Sequence, residues 1–201
     1  MPAVILFAMS IYLLRHGQTA WNAGGWVQGR YDVPLNDTGR QQARKAGLEL
    51  KDVPFVKCYC SPAIRAQETA HLALEGRDVP IVLDERLVEM AYGIYENTNW
   101  RDGDYQELRR RLAYRYPNGE SYFDVAHRAF SFLESIMDEA EKGDILLVCH
   151  GGIGRAINAY FVDDNTNDSF IDTICPNGGI KKYEPRRHFI PPVVPLPEDH
   201  H

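Results

Sequence analysis

An α/β fold, a three-layer α/β/α sandwich around a mostly parallel central sheet, is predicted by three features of this sequence. Short apolar or β-branched runs alternate with helical patterns along the chain. Turn residues flank most of those runs. Two of the runs, Leu13-Leu14 and Ile145-Leu146-Leu147-Val148-Cys149, end abruptly on histidines, in Arg15-His16-Gly17 and His150-Gly151-Gly152. Side chains just past the carboxyl ends of strands line the ligand crevice of an open α/β sheet. Two histidines delivered there, one beside an arginine, predict a positively charged pocket for an anion, most simply a phosphate.

Strands are expected at about 10–15, 55–60, 80–83, 144–149 and 179–184. The first helix runs from Arg40 to Leu50, with Asp37 or Thr38 as its N-cap. Ser61-Pro62 opens the second, Ser as N-cap and Pro at the first helical position; it continues to Leu74 and ends at Gly76. A charged helix is expected from Asp102 to Tyr114, stopped near Pro117-Asn118-Gly119. Ser121 to Glu141 reads as a long amphipathic helix with Val125, Phe132, Leu133 and Ile136 near one face. A last helix begins at Gly151 or Gly152. Residues 1–184 are expected to form one domain, and the prolines at 191, 192, 195 and 197 make 185–201 an extended tail. Its terminal histidine pair reads as surface.

Composition narrows the function. The chain has 201 residues, 44% apolar and 25% charged, as ordinary globular proteins do. Its net charge of -6 argues against a nucleic-acid binder and makes a local cluster of arginine and histidine more telling. Pro2 to Leu14 is too short to span a bilayer and lacks the flanks of a signal peptide. The four cysteines, Cys58, Cys60, Cys149 and Cys175, show no zinc spacing and read as free thiols in a reducing, cytoplasmic setting.

Two further side chains belong to the expected chemistry. Arg65 falls on the first turn of a helix that follows a strand, where it can point into the same crevice. Glu89, in Leu87-Val88-Glu89-Met90, has apolar neighbours that would raise its pKa and suit it to protonate a leaving oxygen. Glu85 and Glu96 are rival candidates for that task. The glycines after His150 are no dinucleotide fingerprint, because Ile157 stands where the third glycine would be.

In order along the chain come Leu14-Arg15-His16-Gly17-Gln18-Thr19 with Asn22, Gln28-Gly29-Arg30-Tyr31-Asp32-Val33-Pro34-Leu35, and Ser61-Pro62 with Arg65. Leu87-x-Glu89 with Gly93, Pro117-x-Gly119-Glu120-Ser121, His150-Gly151-Gly152 and Asn177 follow. This series resembles the histidine phosphatase superfamily, also known as phosphoglycerate mutase-like, over roughly Ser10 to Tyr183. The resemblance implies that His16 attacks phosphorus and carries the phosphoryl group as a phosphohistidine. Arg15, Arg65 and His150 would bind the phosphoryl oxygens, and Glu89 would be the general acid and then the base. Asn22, Gln28, Gly29 and the backbone near Gly17 or Gly151 would complete the phosphate pocket, with neither metal nor cofactor. One departure stands out: Tyr95-Glu96-Asn97 replaces the Trp-Glu-Gly common in family phosphatases, which puts the loop's conformation in question.

Hydrolysis of a small phosphomonoester is the leading expectation. A bisphosphoglycerate-dependent mutase is the alternative within the family, disfavoured by the short stretch from Met90 to Gly119 and by Gln28-Gly29 where mutases tend to have Gly-Trp. A non-catalytic phosphate-binding protein is the alternative outside it. The short stretch carries Arg109, Arg110, Arg111 and Arg115, and Arg109 and Arg110 with Tyr92 are candidates for a substrate cap. A solvated helix face, with Glu107 paired to Arg110 or Arg111, is the competing reading. An exposed edge strand or the tail leaves a homodimer open.

Overall fold

The structure is a computed structural model and describes residues 9–163 and 165–186. The expected tail and its histidine pair lie largely outside the described residues. Five strands form one sheet: β1 (Ile11–Arg15), β2 (Phe55–Cys60), β3 (Ile81–Leu83), β4 (Asp144–Cys149) and β5 (Ile180–Tyr183). Their spatial order is β3-β2-β4-β1-β5, parallel except for β5, which runs antiparallel to β1. The helices are α1 (Ala20–Gly24), α2 (Asp37–Glu49), α3 (Ile64–Ala73), α4 (Tyr105–Leu108), α5 (Tyr122–Ala140), α6 (Gly151–Phe161) and α7 (Asn167–Asp172).

Alternation along the strands builds the two outer layers. Ile11, Leu13, Ile145, Leu147 and Cys149 join the core that holds Val125, Phe132 and Leu133 of α5 and Ile153 and Ile157 of α6. Leu14, Leu146 and Val148 point the other way, into the core with Ala46 of α2 and Ala66 and Ala70 of α3. Strand β4 is thus buried on both sides, which is why its sequence is a continuous apolar run.

This layering fixes the crevice. The chain leaves β1 toward the α2–α3 face and leaves β4 toward the α5–α6 face, although the two strands are neighbours in register, Arg15 opposite Cys149. Neighbouring strands whose connections diverge leave a gap beyond their carboxyl ends. His16 and His150 follow immediately on those ends.

Local expectations needed correction at several points. The N-cap of α2 is Asn36, whose side chain accepts from the Gly39 amide at 2.8 Å, rather than Asp37 or Thr38. Helix α3 begins at Ile64 with no side-chain cap, so Ser61 and Pro62 lie before it. Of the charged helix expected at 102–114 only α4 forms, around the buried Tyr105 and Leu108. Ser121 does cap α5, in a reciprocal box with Asp124. Two short helices, α1 and α7, were not foreseen. No helix among the described residues is long and apolar enough to cross a membrane.

Candidate active site

A cavity of about 420 Å³ opens at the crevice and is lined by Arg15, His16, Asn22, Gln28, Gly29, Arg65, Glu89 and Gly151 from the expected site. Tyr92 and Arg109 of the expected cap also line it, whereas Arg110, Gly17 and His150 are not among its lining residues.

His16 is fixed in the cavity wall by one ring nitrogen. Its Nδ1 lies 2.7 Å from the Gly17 carbonyl oxygen, which only a protonated nitrogen can approach so closely, so Nε2 keeps a lone pair. Burial, then Arg65 and Arg15, push its pKa well below 6.5. The ring is therefore neutral near pH 7. Gly17 serves as the orienting group: its amide is taken by Thr69 Oγ1 at 3.0 Å and is not offered to the cavity. A side chain there would meet the Gly39 carbonyl at 2.3 Å.

Arg65 is fixed by its frame. Nη1 and Nη2 donate to the carbonyls of Tyr31 and Gly29 at 2.8 and 2.9 Å, and Nε donates to His150 Nδ1 at 3.1 Å. Burial lowers its pKa to about 10, which still leaves it charged. Gly29 has φ 50°, and a Cβ on it would lie 2.1 Å from the Glu96 carboxylate. Arg15 donates through Nη1 to the Cys175 carbonyl at 2.8 Å, while its Nε is buried without a partner. Burial also lowers the Arg15 pKa. Gln28 repeats the pattern: Oε1 accepts from Thr19 Oγ1 at 2.9 Å, and Nε2 is buried and unpaired. Unpaired buried donors in a cavity wall call for an acceptor. Asn22 caps α1 with Thr19, its Oδ1 accepting from Thr19 and from Asn177 Nδ2 at 3.1 and 3.2 Å.

His150 lies against Arg65 and Ser61. It accepts from Arg65 at Nδ1, so its Nε2 donates to Ser61 Oγ at 2.7 Å, and both nitrogens are satisfied by protein. Burial, then Arg65, hold its pKa well below 6.5. In this arrangement His150 stands behind Arg65, and a phosphoryl oxygen would have to replace Ser61 to be bound by Nε2. Ser61 is its partner, which explains why Ser61 does not cap α3.

Glu89 is the carboxyl group of the cavity. Glu85 is exposed, and Glu96 is engaged with the amides of Tyr92 and Arg30 at 2.9 and 3.1 Å. The apolar surroundings expected for Glu89 are not what it meets. Its oxygens accept from the amides of Met90, Gly152 and Ile153 at 2.8, 3.0 and 3.1 Å, the last two at the N-terminus of α6. In the loop that follows, Asn97 stands where family phosphatases often have glycine and adopts φ 63°, a left-handed value that asparagine tolerates.

Several lining residues were missed as site residues. Arg155 is buried, donates to the Ile171 carbonyl at 2.8 Å and lines the cavity. Burial opposes its charge, but Tyr122, Tyr92 and Glu89 raise its pKa on balance. Its place five residues after His150, on the face of α6 turned to the cavity, was the available signal. The exposed Trp26 and Trp100 and the buried Tyr105 line it as well. Among the described residues none of Arg15, Arg65, Arg109 and Arg155 makes an ion pair within 4.0 Å, and Arg110 is instead paired with Asp168 at 2.6 Å.

A neutral histidine, two guanidinium groups and a carboxyl around one cavity define a phosphoryl-handling site. The sequence matches the histidine phosphatase superfamily (branch 1) over residues 11–190, and the chain belongs to that family. It is similar to 2,3-bisphosphoglycerate-dependent phosphoglycerate mutase 2 of Gloeobacter violaceus, 37% identical over 159 residues, 73% of each chain. Among solved structures it resembles a mycobacterial glucosyl-3-phosphoglycerate phosphatase in complex with VO3, with TM-score 0.79 and 26% identity over 87% of this chain and 92% of that one. It also resembles YhfR of Bacillus stearothermophilus, with TM-score 0.77 and 32% identity over 86% and 89%.

Proposed function

We propose that the chain is a phosphomonoester hydrolase that acts through a phosphohistidine on a small phosphorylated metabolite, with arginines rather than a metal ion supplying the charge. The observation that carries this reading is His16, neutral and fixed by the Gly17 carbonyl, in a cavity wall with unpaired donors on Arg15 and Gln28. The Nε2 lone pair attacks phosphorus as the ester P–O bond breaks. Arg15, Arg65 and Gln28 hold the phosphoryl oxygens as the group flattens. Glu89, the carboxyl group of the cavity, gives a proton to the leaving oxygen as general acid. Water then attacks the phosphohistidine, Glu89 takes its proton, and inorganic phosphate leaves with His16 regenerated. Arg109 and Tyr92 touch the part of the substrate beyond the phosphoryl group.

The second reading, transfer back to the substrate as in a mutase, is favoured by the similarity to a phosphoglycerate mutase. Against it, the segment between Glu89 and Glu120 forms no regular element longer than the four-residue α4. Phosphate release from a panel of phosphomonoesters, with chelator present, tests both. Hydrolysis is expected in the wild type and should fall by at least about 10³-fold in His16→Ala. Arg109→Ala should change the ranking of esters rather than all rates alike. No phosphate release, but interconversion of 2- and 3-phosphoglycerate once a bisphosphoglycerate primer is supplied, would favour the mutase. No turnover under either condition would leave a binding protein.

A further inference from the structure

The outer part of the cavity has a construction that phosphoryl transfer does not require. Residues 25–27 and 97–100 pair as a short antiparallel lip at its mouth. The amide of Val27 donates to Thr98 at 2.8 Å, that of Asn97 to Val27 at 2.9 Å, and that of Trp100 to Gly25 at 2.9 Å. An isolated bridge between Trp26 and Asn99 completes it. The lip carries two tryptophans. A Cβ on Gly24 would lie 2.7 Å from the Trp26 indole and one on Gly25 would lie 3.0 Å from the Trp100 indole, so the rings rest over adjacent glycines. The Arg101 guanidinium lies 4.6 Å from the centre of the Trp100 ring and steadies it.

Both residues stay accessible, Trp26 at 42% and Trp100 at 36%, on backbone that is paired across the lip. Tryptophans kept in solvent on a fixed lip beside a cavity forgo burial within the protein, and a ligand ring would supply it. Deeper in the cavity stand Tyr92 and Tyr105, with ring centroids 5.8 Å apart in an edge-to-face pair. We propose that this rim is a ring-binding subsite, and that the preferred esters carry a planar aromatic or heteroaromatic group on the leaving side. This rests on the hydrolase reading for its link to catalysis, but the subsite can be detected without turnover.

Benzyl phosphate and propyl phosphate are suitable probes, because both leave as alkoxides and differ in the ring. The wild type should favour benzyl phosphate by roughly tenfold in kcat/KM, the scale of two aromatic contacts. Trp26→Ala and Trp100→Ala should each erode the preference, and Trp26→Phe and Trp100→Phe should keep most of it. Binding is read separately in His16→Ala from tryptophan emission. Trp21 is not among the cavity's lining residues, so Trp26 and Trp100 are the emitters that benzyl phosphate would quench. Quenching without turnover in the wild type would remove the hydrolase reading and keep the subsite. Equal affinities for the two esters, or a ring preference that survives both alanine variants, would overturn the subsite whatever the rates.

Discussion

His16 and His150 lie with ring centroids 5.1 Å apart, and the hydrogen bonds around them assign different work. His16 has one nitrogen committed to a backbone carbonyl, whereas His150 has both committed to side chains. Only the first can attack. Arg65 matters to both, since it donates to His150 and its charge disfavours protonation of His16. Arg65→Gln removes that charge, so the His16 pKa should rise toward its ordinary value. With the neutral ring as the proposed nucleophile, the acid limb of kcat/KM should then move to higher pH, alongside a loss of about 10²-fold or more at the optimum. A measured profile whose acid limb stays in place would separate Arg65 from His16. Residue identity at these positions was readable from the sequence, because strand ends announce themselves by apolar runs that stop. What each histidine bonds to was not readable: Ser61 looks like a helix cap in sequence, and only the fold brings it to His150 from 89 residues away.

At the scale of elements, the loop that carries Glu89 is braced from α5. Arg128 donates from Nη1 to the carbonyls of Arg86 and Val88, each at 2.7 Å, and from Nε to Glu120 at 2.9 Å. Glu120 in turn accepts from the Ala91 amide at 2.8 Å. Burial works against the Glu120 charge, but Arg128 and Ala91 outweigh it and hold its pKa below the ordinary carboxylate value. The brace therefore grips the chain on both sides of Glu89 without reaching the cavity itself. Glu120→Gln and Arg128→Gln should lower kcat more than they alter KM, most for esters with poor leaving groups, at a cost of about 1–3 kcal/mol in stability. A rise in KM with kcat intact would show that the brace shapes binding instead. Every strand and the long helices were legible because their apolar patterns are sustained. Helices α1 and α7 were not, since five and six residues carry no period; the Thr19/Asn22 and Thr166/Ser169 boxes were their only signature. The reverse error at 102–114 has the same root, because a charged stretch with good helix formers has nothing to pack beyond Tyr105 and Leu108.

For the whole molecule, the crevice is a by-product of topology, and the protein stores cost there. Two imidazoles buried in neutral form, beside arginines, bind protons less well when folded than when unfolded. Between the ordinary histidine pKa of about 6.5 and the depressed folded values, the unfolded chain takes up protons that the folded chain refuses. Stability is thus greatest above that window and falls as pH drops through it. Each tenfold depression of proton affinity costs about 1.4 kcal/mol once the window has been crossed. The carboxylates held low by their partners, Asp84 by Arg86 and Asp124 by Ser121, lose their contribution only further down, as pH falls below the ordinary aspartate range. Melting temperature should therefore begin to decline below about pH 6.5, ahead of the carboxylate transition. In His150→Asn, one of the two uptake sites is gone and the decline over that interval should be shallower, even if the variant is less stable throughout. A wild-type melting temperature that holds level from pH 7 until the carboxylates titrate would mean that the histidines are protonated in the folded state, and the neutral nucleophile would fall with them.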